Sequence, residues 1–174
     1  MLFRSIAQST PGTSDWTTKD NIKTENGQYA LFTTGTTGTF SKTIASTGYG
    51  FNLPTAAENI RLTVDLNGKA SVATKNHRYF LYNSIELTDN AADAIADLDN
   101  NGLSNGNKDY VPDGASDTDI SVGGGDWDSG SGGVTPDNIN SANFGVLLQA
   151  KYFCDASCNS SDTLNLDTVS INIV

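Results

Sequence analysis

The chain has 174 residues, with 10 basic and 20 acidic side chains and a formal charge of −10. Phosphates would repel such a surface, so nucleic-acid binding is excluded as a leading function, while a basic partner surface would attract it. No window approaches the roughly 18–20 apolar residues of a membrane helix, and the start, Met1 to Ala7, lacks a long apolar signal core, so synthesis in a cytosol without export is expected.

Charged residues are only 17% of the chain, and Gly, Ser, Thr, Asn and Asp are abundant. This composition predicts short strands joined by turns. Residues 1–14 are polar, with a Pro11-Gly12 turn, and read as a flexible N-terminal arm; a single domain is expected over 15–174. Strands are predicted at 28–33 and 40–45, and at 49–53 up to Pro54, which lacks a ladder donor. The clearest is 59–67, where Ile60, Leu62, Val64 and Leu66 share one face. Strands at 71–74 and 78–87 follow, then a short helix within 89–100 carrying Ala92, Ile95 and Ala96. Residues 100–137 read as a long acidic Gly/Asp-rich loop of contact-making type. Two last strands, 143–153 and 164–174, close the chain. The step from Leu166 to Val169 breaks alternation and marks a bulge. Strands without βαβ alternation predict an all-β antiparallel sandwich, jelly-roll-like.

Few residues point to chemistry. Asp97-Leu98-Asp99-Asn100-Asn101-Gly102 has the D-x-D-x-N-G form of half a calcium loop, in which alternating oxygens converge on a hard cation. Lys108 stands where the bidentate acid belongs, so an acidic turn is favoured over a Ca²⁺ site at Asp97, Asp99 and Asn101. His77 is the sole histidine and names no nucleophile partner. The glutamates, Glu25, Glu58 and Glu86, form no evident acid pair with any Asp, and there is no G-x-S-x-G elbow. Gly123-Gly124-Gly125 lacks the Lys-[ST] of a phosphate cradle and reads as backbone freedom around Trp127. That Trp either caps the core or, with Asp126, Asp128 and Tyr110, forms a contact or glycan site. Cys154 and Cys158 stand four residues apart beside turn formers, as a small disulfide or as two thiols.

Several phrases stand in a fixed order. They are Trp16, Asn21-Ile22, Asn26-Gly27-Gln28-Tyr29-Ala30, Tyr49-Gly50-Phe51-Asn52-Leu53-Pro54, Ser104-Asn105-Gly106-Asn107-Lys108 and Gly123-Gly124-Gly125-Asp126-Trp127. Thr135-Pro136-Asp137-Asn138-Ile139-Asn140, Asn143-Phe144-Gly145-Val146 and the alternating end from Leu166 to Val174 complete the series. In order and spacing, over most of 16–174, the chain resembles a family of tailed-phage virion structural proteins. It departs from the pattern at 88–134 and lacks the final Gly after Trp127.

The resemblance implies a non-enzymatic β-sandwich component of a virion, most simply a capsid decoration or cement protein made in the host cytoplasm. Its partners would be the major capsid protein or other virion proteins, in a homo-oligomer, with a trimer as the expected form. No cofactor is expected beyond the calcium candidate. Exposure of a released particle to oxygen favours the Cys154–Cys158 bridge. The alternative is a receptor- or glycan-binding module of a tail, baseplate or head fibre, centred on Trp127.

Overall fold

The computed structural model describes residues 4–9, 14–34, 36–70, 77–82, 86–88, 94–97, 107–110, 118–126, 134–154 and 160–174. They form antiparallel β-structure with one short α-helix and a 3-10 turn at Lys19–Lys23. The strands are β1 (Ser5–Ser9), β2 (Trp16–Thr17), β3 (Ala30–Thr33), β4 (Thr43–Thr47), β5 (Arg61–Ala70), β6 (His77–Tyr82) and β7 (Glu86–Thr88). They continue with β8 (Ala94–Asp97), β9 (Asn107–Tyr110), β10 (Thr118–Asp126), β11 (Gly145–Leu148), β12 (Ala150–Cys154) and β13 (Thr163–Ile173); helix α1 is Pro136–Asn140.

One sheet runs β10-β5-β13-β3-β2. The opposing sheet has two parts, β1-β4-β11-β7-β8 and β12-β6-β9. Only Gln149 separates β11 from β12. The segment ahead of β4 flanks β12, through Gly38 N–H to Tyr152 O (2.8 Å), Tyr152 N–H to Thr39 O (3.0 Å) and Ser41 N–H to Ala150 O (2.8 Å). The parts therefore meet along this segment and β12. From β3 to β13 the chain changes sheet at each connection except along β6 to β9 and between β11 and β12. This connectivity is that of an all-β antiparallel sandwich.

The core lies between the sheets. Phe32, Leu62, Val64, Leu66, Leu164, Leu166, Val169 and Ile171 from one sheet meet Ile6, Ile44, Val146 and Leu148 from the other in a single buried cluster. Each fully buried side chain of this size contributes about 1.5–3 kcal/mol. The alternation read in β5 is observed, with Leu62, Val64 and Leu66 buried and Arg61, Thr63 and Asp65 outward. The expected bulge in β13 is present, because the register with β5 shifts between Leu166 and Thr168.

Several expectations are corrected. The described part of the expected arm is not an arm. Ser5–Ser9 pairs with β4, Ile6 is buried, and Ser14 bridges Ser41. The sequence Ser5-Ile6-Ala7-Gln8-Ser9 offers one large apolar residue, so pairing with a distant strand decides its state. In the expected helix, Ala94–Asp97 is a strand paired antiparallel with the preceding strand β7, and this ladder outweighs helix propensity. The expected long loop contains β9, β10 and the start of α1. In β10 the ladder to β5 carries the chain as far as Gly123 and resumes at Asp126 after a register shift, so the glycines interrupt a strand rather than forming a turn. Residues 49–53 are not a strand, and the strand expected at 143–153 is divided at Gln149. The strand expected at 71–74 lies outside the described residues.

Candidate contact site

Two of the phrases in the sequence meet at one end of the sandwich. The first is Thr135-Pro136-Asp137-Asn138-Ile139-Asn140. Thr135 caps α1: its hydroxyl accepts from Asn138 N–H (3.2 Å), and Asn138 Oδ1 accepts from Thr135 N–H (2.9 Å). This reciprocal box, with Pro136 at the start of the helix, satisfies donors that a helix of five residues would otherwise leave open. Ile139 is buried in the core.

Asn140 then reads the backbone of the second phrase. Its Oδ1 accepts from Leu53 N–H (2.6 Å) and its Nδ2 donates to Leu53 O (2.8 Å), as a neighbouring strand would. The loop that carries Leu53 is also held by aromatics. Tyr49 stacks on Phe51 (5.8 Å, 5°), and Phe51 meets the edge of Phe144 (6.1 Å, 70°). Beyond Pro54 a turn closes through Ala57 N–H to Pro54 O (3.0 Å), and Asn59 takes a positive φ of 57°, which Asn tolerates better than most residues.

This arrangement leaves a cleft of about 440 Å³ between residues 55–60 and 134–137. A second hollow of about 340 Å³ adjoins it, over Phe51, Leu53 and Ile173. Ala57, Glu58 and Ile60 line both, so the two form one groove. Glu58 and Asp137 are exposed at its margin. Among the described residues no His, Cys or Lys lines it.

A buried polar device lies on the inner side of the same loop. Arg4 Nη1 donates to Lys23 O (2.9 Å), and Nη2 faces Ser46 Oγ (2.6 Å), Tyr49 OH (3.0 Å) and Val169 O. The guanidinium stacks on Tyr49, 4.5 Å from the ring centre. Burial pushes the Arg4 pKa down, opposed by Tyr49; burial pushes Tyr49 up, opposed by Arg4. Arg4 thus ties β1, the 3-10 turn, β4 and β13 together. The sequence carries no signal for it beyond a lone basic residue before an apolar one.

Other buried polar groups are structural. Asp167, at the β13 bulge, accepts from Asn26 N–H (3.2 Å) and Gly27 N–H (2.9 Å), and Gly27 needs its φ of +73° there. Tyr152 donates to Asp162, joining β12 to the start of β13. Trp16 is buried against Phe32 (5.7 Å) and donates from Nε1 to Lys42 O (2.9 Å).

The residues singled out in the sequence are not brought together among the described residues. Asp126 ends β10, opposite Arg61, in one sheet; Tyr110 ends β9, opposite Tyr79, in the other. Trp127 and Asp128 lie outside the described residues. Asp97 ends β8, opposite Glu86, so a strand rather than a helix leads into the calcium-like phrase; Asp99 and Asn101 lie outside the described residues. Among the described residues no three His, Cys, Asp or Glu side chains are placed to hold a metal ion. Cys154 is in a disulfide, and its backbone N–H donates to Thr37 Oγ1 (3.0 Å); Cys158, the chain's other cysteine, lies outside the described residues.

No family model, curated protein or solved structure matches the chain.

Proposed function

We propose that the chain is a non-enzymatic structural protein of a bacteriophage virion, a decoration subunit that binds the outer shell and stabilises contacts between capsomers. The observation that carries this reading is the use made of the phage-like phrases. From Thr135 to Gly145 they build part of an antiparallel sandwich and frame an open groove. Jelly rolls recur in viral shell proteins. The charge of −10 suits attachment to a basic shell surface.

The mechanism is adhesive. Each subunit adds modest buried area across neighbouring shell subunits, and the effect is multiplied by repetition and by oligomerisation, with a trimer as the proposed form. Jelly rolls also occur in lectin domains, so glycan binding on a tail or fibre is the second reading. Electron cryomicroscopy of the encoding phage, with and without its gene, separates the two. Density lost over the shell supports decoration, and density lost at the tail or fibres supports the second reading.

A further inference from the structure

We infer that the groove between residues 51–60 and 134–137 is the docking site for a segment of the shell protein that carries an apolar side chain between basic residues. This deepens the decoration reading and rests on it. The two adjoining hollows, about 440 and 340 Å³, have the size of sites that enclose one or two side chains. Their floor is apolar, with Ile60 buried and Phe51, Leu53 and Ile173 half-buried against the core. Their margin carries Glu58 and Asp137, both exposed and neither ion-paired among the described residues.

The charge selects the occupant. A second copy seated here would bring its own surplus carboxylates against Glu58 and Asp137, in a chain already at −10. A basic segment gains attraction from both, while its apolar side chain takes the floor. The walls are already fixed by the Asn140–Leu53 pair and the Thr135–Asn138 box, so little ordering is lost on binding.

The test uses phage particles made without this gene and the full chain carrying a fluorescent label, with binding read by co-sedimentation over a range of salt. Two variants are compared, the rim double Glu58→Lys/Asp137→Lys and the floor variant Leu53→Asp, each checked for folding by thermal melting. The inference expects the wild-type chain to rebind and the rim double to bind more weakly, on the order of tenfold or more, with a flatter salt dependence. The floor variant should lose at least as much. Should Leu53→Asp fail to fold, the exposed rim double still decides. Wild-type rebinding with an unchanged rim double overturns the groove as the docking site and leaves the decoration reading standing. A wild-type chain that does not rebind overturns that reading and the inference with it.

Discussion

The backbone of Gly145 passes so close to that of Ser46 that a Cβ on the glycine would lie 1.9 Å from the Ser46 carbonyl oxygen. The glycine opens β11, between β4 and β7, so neither neighbouring strand is free to retreat. Gly145→Ala should therefore destabilise the fold by about 3 kcal/mol or more, the upper range for overpacking. Urea unfolding measures this. A change below about 1 kcal/mol would show that the sheet adapts.

Arg4 is expected to matter more than its place near the start of the chain suggests. Arg4→Met leaves the carbonyls of Lys23 and Val169 without their guanidinium donor and removes the stack on Tyr49. A loss of about 3 kcal/mol is expected, with little rescue by Arg4→Lys, which lacks the planar fork. Deleting residues 1–9 should lower stability further, because β1 is lost from the sheet edge. Equal melting temperatures for the full and shortened chains would contradict this.

At the groove, Asn140→Ala removes both bonds to Leu53, and Thr135→Ala removes the helix cap. Each should cost about 1–2 kcal/mol. The Asn140 change should also raise amide exchange at Leu53 selectively, by hydrogen exchange, while Thr135→Ala raises it within residues 136–140. A uniform rise across the chain in both variants would show that the two walls do not open independently.

The Asp20 carboxyl is held below its ordinary value of 3.8, first by its hydrogen bond from Lys23 and further by the nearby Lys19. A depressed folded value means that its stabilisation is present above the unfolded value and lost as pH falls through the folded one. Asp20 is exposed, so solvent and salt screen the effect. Asp20→Asn should shift the acid unfolding midpoint slightly at low salt and not at all near 1 M salt. A shift that persists in high salt would contradict this assignment.

What the sequence reveals depends on where a residue's partners lie. In β5 and β13 the alternation of Leu62, Val64 and Leu66 and of Val169 and Ile171 marks the buried face directly, and the break at Asp167 marks its bulge. Ser5–Ser9 and Ala94–Asp97 carry no such pattern; their strand state comes from pairing, with β4 far along the chain and with the neighbouring β7. The glycines of β10 suggest a loop by composition, but the ladder to β5 brackets them. The phrase from Thr135 to Gly145 is conspicuous in sequence because almost every residue has a fixed structural task, in capping, packing, clamping or close approach. The groove it frames depends on Asn140 meeting Leu53, a pairing that no local pattern reports.

The most direct test of the decoration reading is the copy number of this chain in purified particles of the encoding phage, by quantitative mass spectrometry against the major shell protein. The account predicts a fixed and high ratio, with hundreds of copies per particle, on the order expected for a subunit repeated over a symmetric shell. Absence from the particles, or only a few copies, would contradict it.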